Sequence, residues 1–381
     1  MAADIPIPAN LAAWINAKHA RLEVGPAPYT PPADDQIVVR NRAVAVNPLE
    51  WIIQVEGSLT YGWLKYPTVL GSDTAGEVVE VGGAVTRFRV GDRVLAHAVG
   101  TDKDSNHAAE GTFQHYTVVL ERLSCPIPDT LPFEDAAVLP LAVSTAACGL
   151  FQTSHLGLRH PSADPEPTGQ TLLVWGGSTS VGSNAIQLAA AAGYEVITTA
   201  SPRNFDYVRS LGAGQVFDYN SPNVVPDVTA AFAGRTLAGA IAFGTTGAAS
   251  CVRIVRGCKG NKFVAIATPP VSFEVLGEAD RGRFAHARLV ARLIGTNIAL
   301  QFASRPRGIR MKYIFGSTLK TNEVSYAVYR DFLPAALADG RYLPAPGPMV
   351  VGHGVQDFQH AMDVQRKGVS AAKVVVTLPG F

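Results

Sequence analysis

The stretch from Thr171 to Ala200 constrains the fold of this chain more than any other segment. Four apolar residues, Leu172 to Trp175, form a run of the kind that a strand buried on both faces requires. A turn of small residues, Gly176 to Gly182, follows, and the pattern after it predicts a helix from Val181 to Ala192 that ends at a glycine. A second strand, Glu195 to Ala200, begins at once. Strand, tight turn, helix and strand form the first unit of a dinucleotide-binding fold.

The turn itself is predicted to hold the pyrophosphate of the dinucleotide. Small residues let the backbone come close to the phosphates, and the unpaired N–H groups at the start of the helix point at them. The sequence departs from G-x-G-x-x-G because Thr179 stands where a middle glycine occurs. An ordinary βα turn is the alternative, although the strand before it and the helix and strand after it favour a nucleotide site. The candidate ligands are Ser178, Thr179, Ser180 and Val181.

Composition restricts the class of protein. The chain has 381 residues, of which 47% are hydrophobic and 17% charged, so it can bury a large core and fill two domains. The formal net charge of +1 gives no reason to expect nucleic acid or an acidic surface as a partner. We expect neither a signal peptide nor a run of about twenty apolar residues that spans a membrane.

The cysteines argue against a disulfide framework or a structural zinc site. The four of them are widely scattered and form no C-x-x-C pair: Cys125, Cys148, Cys251 and Cys258. Free thiols are typical of a reducing compartment, so we expect a cytoplasmic protein.

The predicted secondary structure changes near residue 133. The first 150 residues show the short strands and turns that are typical of a β-barrel-like domain. A helix is predicted from Glu134 to Phe151, with a break at Pro140, and strands and helices then alternate. A helix from Val324 to Gly340 is expected to return the chain to the first domain, where Lys373 to Leu378 supplies a final strand.

Three stretches resemble the medium-chain dehydrogenase/reductase superfamily: Gly71 to Val94, the nucleotide turn and the closing strand. The resemblance implies an α/β protein with a GroES-like β-barrel catalytic domain, residues 1–145 with 325–381. It also implies an inserted Rossmann domain with a doubly wound parallel sheet, residues 146–324, and a nicotinamide in the cleft between the domains.

Further matches resemble a narrower, zinc-free branch of that superfamily. AVNPLEW (Ala45 to Trp51), PLAVSTAACGLF (Pro140 to Phe151) and the segment Thr198 to Ala213 look like the enoyl reductases that act in trans with fungal polyketide synthases. The ToxD-like and quinone-reductase branches share the same fold and cofactor, and these motifs separate the branches poorly.

The resemblance also implies that no metal is bound. Zinc members place a Cys where this chain has Asn47 and a His where it has Ser72. Asp73 remains as a lone carboxylate, whereas zinc needs a tetrahedral set of Cys, His or carboxylate ligands.

The residues after the second strand of the nucleotide unit select the dinucleotide. An acid there binds the ribose hydroxyls of NAD, whereas basic or hydroxyl side chains suit the 2′-phosphate of NADP. Ser201, Arg203 and Asn204 stand there without an acid, and a guanidinium binds phosphate through paired charge-assisted hydrogen bonds. We therefore predict NADPH, with a solvated surface arginine as the alternative for Arg203. By resemblance, Tyr219 contacts the same phosphate.

The same resemblance supplies candidates for the reacting end of the cofactor. Thr145 is expected to bond the carboxamide, with a bond to its own helix backbone as the alternative. Tyr61 is the candidate proton donor, and packing in an aromatic-rich loop is its alternative. Segments Ile52 to Tyr66 and Phe284 to Leu293 are candidate substrate walls or ordinary core. The remaining expected cofactor contacts are Asn47, Pro48, Ile266, Ala267, Phe315 and Ser317.

Together these features predict NADPH-dependent, zinc-independent reduction of an activated C=C bond by hydride transfer to the β-carbon. The expected substrate is a small unsaturated carbonyl compound or acyl thioester, and an acyl carrier of a polyketide synthase is an open partner. A quinone oxidoreductase and a non-catalytic NADPH-binding protein are the alternatives.

Overall fold

The computed structural model describes residues 9–57, 59–277 and 284–379. Its contacts divide these residues into two compact units. Unit 1 draws on residues 1–140, 347–369 and 373–381, and unit 2 on residues 141–346 and 370–372.

The helices and strands follow one another in chain order. The first part of the chain contains β1 (Asn10–Ile15), β2 (Leu22–Ala27), β3 (Gln36–Ala45), α1 (Pro48–Glu56), β4 (Thr68–Val69), β5 (Asp73–Val81), β6 (Arg93–His97), β7 (Tyr116–Leu120), β8 (Ser124–Pro126), α2 (Phe133–Ala136) and α3 (Pro140–Phe151). The middle contains β9 (Gln170–Trp175), α4 (Ser180–Ala190), β10 (Glu195–Ala200), α5 (Phe205–Ser210), β11 (Gln215–Asp218), α6 (Val224–Ala231), β12 (Thr236–Ala242), α7 (Gly247–Gly257), β13 (Lys259–Gly260), β14 (Phe263–Ile266), α8 (Ala285–Ser304), β15 (Arg310–Tyr313) and α9 (Leu333–Ala338). The last part contains β16 (Pro348–Gly352), α10 (Phe358–Arg366) and β17 (Lys373–Thr377).

Unit 1 is built on two sheets. In the described residues, the larger sheet has the order β16-β17-β3-β5-β6-β8, and β7 pairs with β3. β17 is parallel to β16 and antiparallel to β3, so the last strand of the chain lies inside the sheet. The smaller sheet, β2-β1-β4, was not predicted, because β2 alternates poorly and carries both a glycine and a proline.

Unit 2 is built on one parallel sheet, as the sequence predicts. Its order is β11-β10-β9-β12-β14-β15, and all of these pairings are parallel. The chain therefore moves outward in one direction from β9 to β11 and in the other direction from β12 to β15. Ligands of doubly wound sheets bind where this direction reverses, at the carboxyl ends of the strands. In this unit that point lies between β9 and β12.

The stretch Phe133–Phe151 differs from the expectation that the chain has no apolar run long enough to span a membrane. By length and composition it is the one helical stretch of the described residues that qualifies to cross a bilayer, although we expected none. However, 72% of its apolar window is buried inside the protein, as in the core helix of a globular domain. The predicted break at Pro140 is confirmed, because α2 ends at Ala136 and α3 begins at Pro140.

Residues 325–346 group with unit 2, whereas the sequence analysis assigned them to the first domain. They form a π-helical segment, Tyr326–Phe332, followed by α9. Buried hydrogen bonds hold them to unit 2: the Tyr329 and Ser144 hydroxyls lie 2.7 Å apart, and the Tyr342 hydroxyl donates to Asn184 Oδ1 over 2.7 Å. These partners are more than 150 positions away, so a local pattern could not reveal them.

Candidate active site

The predicted nucleotide turn connects β9 to α4 at the reversal point of the sheet. Gly176 has a φ of +88°, which side chains other than glycine rarely adopt. A Cβ at Gly177 would lie 2.2 Å from Thr198 Oγ1, and one at Gly182 would lie 2.2 Å from the Gly176 carbonyl oxygen. The turn therefore requires glycine at these positions, because it passes close to β10 and because the first turn of α4 packs against the Gly176 carbonyl.

The start of α4 offers hydrogen-bond donors that the protein itself does not use. Thr179 caps the helix by accepting a hydrogen bond from the Gly182 N–H over 3.1 Å. Among the described backbone groups, the N–H groups of Ser180 and Val181 have no acceptor. Ser180 Oγ is also buried and has no hydrogen-bond partner in the described structure. A phosphate would supply acceptors for all three groups, so the residues of this turn fit a dinucleotide.

The segment after β10 presents the predicted 2′-phosphate ligands. Arg203 is exposed, and none of the described carboxylates forms a salt bridge with it. Asn204 is buried and donates to Ser201 Oγ over 3.2 Å, which fixes the loop. Tyr219, just past the end of β11, is 44% exposed. β10 and β11 are neighbours in the sheet, and the Asp218 carboxylate accepts hydrogen bonds from Asn220 in its own turn.

The predicted nicotinamide contacts of unit 2 are brought together in part. A Cβ placed on Gly316 would lie 2.7 Å from Thr145 Oγ1, so α3 and the segment Phe315 to Ser317 are in direct contact. The alternative for Thr145 was a hydrogen bond to the backbone of its own helix, of the kind that Thr229 Oγ1 makes over 2.7 Å in α6. Among the described residues, Thr145 Oγ1 makes no hydrogen bond. The Thr145 hydroxyl is therefore available to a ligand.

Two further contacts lie at the carboxyl end of the sheet. Ile266 ends β14, and the Ala267 N–H donates to the Ala242 carbonyl over 3.0 Å. Phe315 is 64% exposed, and its carbonyl accepts a hydrogen bond from the buried Cys148 thiol over 3.4 Å. Burial raises the pKa of that thiol to about 12, so it stays a neutral donor that fixes the backbone here.

A cluster of buried polar side chains lies in unit 1, where α1 meets β5 and β17. The Lys373 ammonium lies 3.0 Å from Asp73 Oδ2 and also donates to Asn47 Oδ1. Asn47 Nδ2 donates to the same Asp73 oxygen over 2.9 Å. The Glu50 carboxylate accepts from the Asn47 N–H over 2.7 Å and from the Ser72 hydroxyl over 3.2 Å. Both polar ends of the Asn47 side chain are thus occupied within unit 1.

The cluster perturbs the ionisation of two of its neighbours. Burial, followed by the charge of Asp73, raises the pKa of Glu50 from 4.5 to about 7. Burial lowers the pKa of His97 to about 4, although the charge of Asp73 opposes this effect. The cluster therefore holds one ammonium, one carboxylate and a second carboxyl group that binds a proton readily near neutral pH.

Tyr61 lies in a loop that other residues of unit 1 hold in place. The buried Glu56 carboxylate accepts from the Tyr61 N–H over 3.2 Å, and the Tyr61 and Trp63 rings lie 5.3 Å apart. Trp63 Nε1 donates to the Thr101 carbonyl over 3.1 Å. The Tyr61 hydroxyl makes no hydrogen bond to any residue that the structure describes. Burial and then the charge of Glu56 raise the pKa of this phenol above its ordinary value, so it keeps its proton.

The two segments predicted as substrate walls contain both buried and exposed side chains. Residue 58 of the segment Ile52 to Tyr66 lies outside the described residues, and Ile53 of α1 is fully buried. In the segment Phe284 to Leu293, Ala285 and Leu289 are buried while Phe284 is 60% exposed. Pro48 is the first residue of α1.

The chain is similar to curated fungal proteins over nearly its whole length. It is 51% identical to dehydrogenase pigH of Monascus ruber over 98% of this chain and 100% of that protein. It is 41% identical to the zinc-binding alcohol dehydrogenase domain-containing protein cipB of Emericella nidulans (99% and 100%), and 37% identical to trans-enoyl reductase himH of Aspergillus japonicus (97% and 97%). Residues 33–129 match the alcohol dehydrogenase GroES-like domain.

The chain belongs to the medium-chain dehydrogenase/reductase superfamily. Solved structures of the superfamily agree with this at the level of the fold. The CurK enoyl reductase aligns with a TM-score of 0.69 at 17% identity, over 98% of this chain and 100% of that one. The quinone oxidoreductase of Pseudomonas syringae pv. tomato DC3000 aligns with a TM-score of 0.68 at 21% identity (97% and 99%). The predicted combination of a GroES-like domain and a parallel Rossmann sheet is confirmed.

The zinc in the name of cipB raises the question of whether this member of the superfamily fits a metal ion. The positions that hold Cys and His in zinc members carry the Asn47 amide and the Ser72 hydroxyl, and both are engaged. The Lys373 ammonium already neutralises Asp73. Within the described ranges, no group of three or more His, Cys, Asp or Glu side chains is arranged to hold an ion. The residues present do not fit zinc.

Lys373 and Glu50 are the site residues that sequence reasoning missed. The sequence analysis assigned Lys373 only to the closing strand. Its hydrogen-bond partner Asn47 is 326 residues away along the chain, so no local pattern links the two. One local signal existed for Glu50, because an acid at the third position of a helix that begins with proline commonly accepts a hydrogen bond from the residue before the helix.

Proposed function

We propose that this superfamily member is an NADPH-dependent, metal-free reductase of an activated C=C bond in an enoyl thioester or enone. Membership of the superfamily supports the broader part, a nicotinamide-dependent oxidoreductase. The relatives named trans-enoyl reductases support the narrower part. The observation that carries the reaction class is the Lys373–Asp73–Asn47 cluster, in which the Lys373 ammonium pairs with the Asp73 carboxylate and the Asn47 amide oxygen.

NADPH rather than NADH is supported by the loop after β10. Arg203 is exposed and has none of the described carboxylates as a partner, and the Ser201 hydroxyl lies in the same loop. A guanidinium forms paired, charge-assisted hydrogen bonds with a phosphate but gains little from the neutral ribose hydroxyls of NADH. The β10 strand ends at Ala200 without an acid that would repel the 2′-phosphate.

The choice of an activated C=C bond rests on the donor set of the described cluster, which does not fit a metal ion that could act as a Lewis acid. Oxidation of a plain alcohol needs a group that lowers the pKa of the hydroxyl, which zinc supplies in other enzymes. Addition of a hydride to the β-carbon of a conjugated carbonyl places the charge on an enolate oxygen, which neutral hydrogen-bond donors stabilise. The donor set of the described cluster does not fit a zinc ion, so we expect the second reaction.

Tyr61 and Thr145 are assigned separate tasks. A bound nicotinamide supplies the hydride that reaches the β-carbon of the substrate. Thr145 Oγ1, which has no partner among the described residues, would donate a hydrogen bond to the carboxamide of a bound nicotinamide. Tyr61 keeps its phenolic proton at neutral pH. We assign it the transfer of that proton to the α-carbon of the enolate, after which solvent water reprotonates the phenolate.

A screen of NADPH consumption tests the proposal. Purified protein is supplied with enoyl thioesters, enones, quinones and simple alcohols, and absorbance of the reduced cofactor is followed. We expect the highest kcat/KM with an enoyl thioester or enone. Preferential reduction of quinones would favour the quinone oxidoreductase alternative, and faster oxidation of alcohols would contradict the reaction class. Binding of NADPH without turnover of any substrate would identify a non-catalytic protein.

The role of Tyr61 has its own test within the same assay. General acid catalysis contributes about 10²–10⁴-fold, so Tyr61→Phe is expected to lower kcat by that factor. Tyr66→Phe is the matched control, because its hydroxyl lies in the same loop and bonds the Gly57 carbonyl over 3.4 Å. Turnover by Tyr61→Phe at the parental rate would show that another group donates the proton.

We also propose a cytoplasmic location. All four cysteines are buried free thiols, which is typical of proteins from reducing compartments. Fractionation of cells that express a tagged protein tests this location, and recovery with a secreted or organellar fraction would contradict it.

A further inference from the structure

Helix α8 of unit 2 leaves a stripe of large apolar side chains in solvent. Ile294, Ile298 and Phe302 are spaced four residues apart and therefore share one face of the helix. Their exposed fractions are 54%, 50% and 76%. The opposite face packs into the unit through Leu289 and Leu300, so the helix is anchored in this orientation. Single exposed apolar residues are ordinary, whereas an aligned set marks an interaction site.

The charges around this stripe have one sign. Residues 284–322 contain seven arginines and lysines and no aspartate or glutamate, an asymmetry that the whole-chain net charge of +1 conceals. Arg288 and Arg292 precede the stripe, and Arg305 and Arg307 follow it, all four exposed. Within residues 9–57, 59–277 and 284–379, no salt bridge joins any of the four to a carboxylate. The surface is thus apolar along its centre and positive at both ends.

A second copy of this chain complements that surface poorly. A two-fold axis across the stripe would place Arg292 of one copy near Arg305 of the other, and like charges would meet. The edge strand β15 carries Arg310 and Lys312, which are both exposed. Charged side chains on an edge strand oppose pairing with a second sheet edge. The charge pattern favours a partner with acidic side chains.

We propose that Ile294, Ile298 and Phe302, with the arginines at both ends, form the docking surface for an acidic carrier domain that presents the substrate as a thioester. The proposal rests on the proposed function, in which an enoyl thioester is reduced. The three apolar side chains supply the desolvated centre from which binding energy comes. The arginines attract an acidic partner and fix its orientation. A free small-molecule substrate would require neither feature.

The test compares one acyl group in two forms. A crotonyl group is supplied either on the phosphopantetheine arm of a purified acidic acyl carrier protein or as the free N-acetylcysteamine thioester. Arg305→Glu/Arg307→Glu, which changes two exposed arginines outside the candidate substrate walls, is expected to raise KM at least tenfold for the carrier-bound form and to leave both kinetic constants for the free thioester unchanged. The matched control, Arg253→Glu/Arg256→Glu, makes the same change of charge on exposed positions of α7 and is expected to alter neither.

A second variant separates apolar contact from charge. Phe302→Ser removes the most exposed side chain of the stripe and is expected to raise KM for the carrier-bound form without changing its dependence on salt. The arginine variant, in contrast, is expected to weaken that dependence. An equal effect of either variant on both forms of the substrate, or no effect on the carrier-bound form, would overturn the proposal.

Direct binding keeps the proposal testable if the proposed function fails. Fluorescence anisotropy of the labelled carrier protein measures docking without turnover, so absent activity on the free thioester would reject the function and not the surface. Loss of binding to anionic vesicles in the same variants, without a change in carrier binding, would assign the stripe to a membrane instead. Sedimentation of the parent as a dimer that Phe302→Ser converts to a monomer would assign it to a second copy. Either result overturns the proposal.

Discussion

The cluster around Asp73 in unit 1 and the turn around Ser180 in unit 2 differ in whether their buried polar atoms have hydrogen-bond partners within the protein. In the cluster, every buried side-chain nitrogen and oxygen has a partner, and the ammonium, amide and carboxylates satisfy one another. In the turn, a buried hydroxyl and two N–H groups are left without one among the described residues. A saturated site holds the fold, whereas an unsaturated site gains free energy only when a ligand arrives.

Because of this difference, a substitution in the cluster should change the stability of the fold, whereas a substitution in the turn should change ligand binding. A change in the cluster leaves a buried charge or donor without its partner, and that cost falls on the folded state itself. A change in the turn removes a group that had no protein partner, so the cost falls on the bound state. The following predictions use that contrast, beginning with the largest expected effect.

Lys373→Met is expected to lower the free energy of unfolding by about 3–5 kcal/mol. The substitution leaves the fully buried Asp73 carboxylate without its cation, and an unpaired buried charge costs about that much. Urea denaturation at pH 7 measures the effect. The double variant Asp73→Asn/Lys373→Met removes both charges and is expected to recover most of the loss. If the single and double variants are equally unstable, packing rather than charge explains the role of Lys373.

Glu50→Gln is expected to change how stability depends on pH. Because the folded-state pKa of Glu50 is raised from 4.5 to about 7, the folded protein binds more protons than the unfolded chain between these values. The contribution of Glu50 to stability is therefore fully present below about pH 4.5 and is lost as the pH rises through 7. Relative to Glu50→Gln, the parent should lose about 3 kcal/mol across this range.

His97 acts in the opposite direction and must be separated from Glu50. Its lowered pKa means that stability rises with pH between about 4 and 6.5. The histidine is present in both proteins, so its contribution cancels when the unfolding free energies of Glu50→Gln and the parent are subtracted at each pH. Parallel curves for the two proteins between pH 4.5 and 7 would contradict the raised pKa of Glu50.

Arg203→Ala is expected to weaken NADPH binding by about 1.5–3 kcal/mol, the value of a hydrogen bond to a charged group. Affinity for NADH should stay nearly constant, because that cofactor has no 2′-phosphate. Titration calorimetry with both cofactors gives the comparison, and Arg209→Ala is a control on the neighbouring surface of α5. Equal weakening with both cofactors would mean that Arg203 supports the fold of the loop rather than the phosphate.

Ser180→Ala is expected to have the smallest effect and the most specific one. The Ser180 hydroxyl has no partner among the described residues, so stability should stay within about 0.5 kcal/mol while NADPH affinity falls by about 1 kcal/mol. Ser183→Ala provides the contrast three residues later. Its hydroxyl donates to the Gly177 carbonyl over 3.1 Å and lies 2.8 Å from the Tyr207 hydroxyl, so its removal should lower stability. The reverse pattern would show that the two hydroxyls have been assigned the wrong roles.

The sequence predicted the unsaturated region well because its signals are local. The run Leu172 to Trp175, the glycines after it and the helix from Ser180 are adjacent in the chain. The strand from Glu195 to Ala200 was predicted with its observed bounds. Such short-range patterns need no knowledge of distant partners.

The saturated region could not be predicted in the same way. The strand that holds Lys373 looks like any apolar closing strand, and nothing beside it indicates that its ammonium is buried against Asn47 and Asp73. The side-chain hydrogen bonds that place residues 325–346 in unit 2 also join distant positions. The identities of the dinucleotide and of the substrate stay predictions.

The position of β17 has a consequence for the order in which the chain folds during synthesis. β17 lies between β16 and β3, so the larger sheet of unit 1 cannot close until its last strand has left the ribosome. Residues 141–372 are made after the first segment of unit 1, which takes roughly 10–50 s at about 5–20 residues per second. During that time residues 43–45 of β3 lack the strand with which they pair, whereas the sheet of unit 2 is complete once β15 emerges. We therefore expect the inserted unit to become resistant to proteases before unit 1 does.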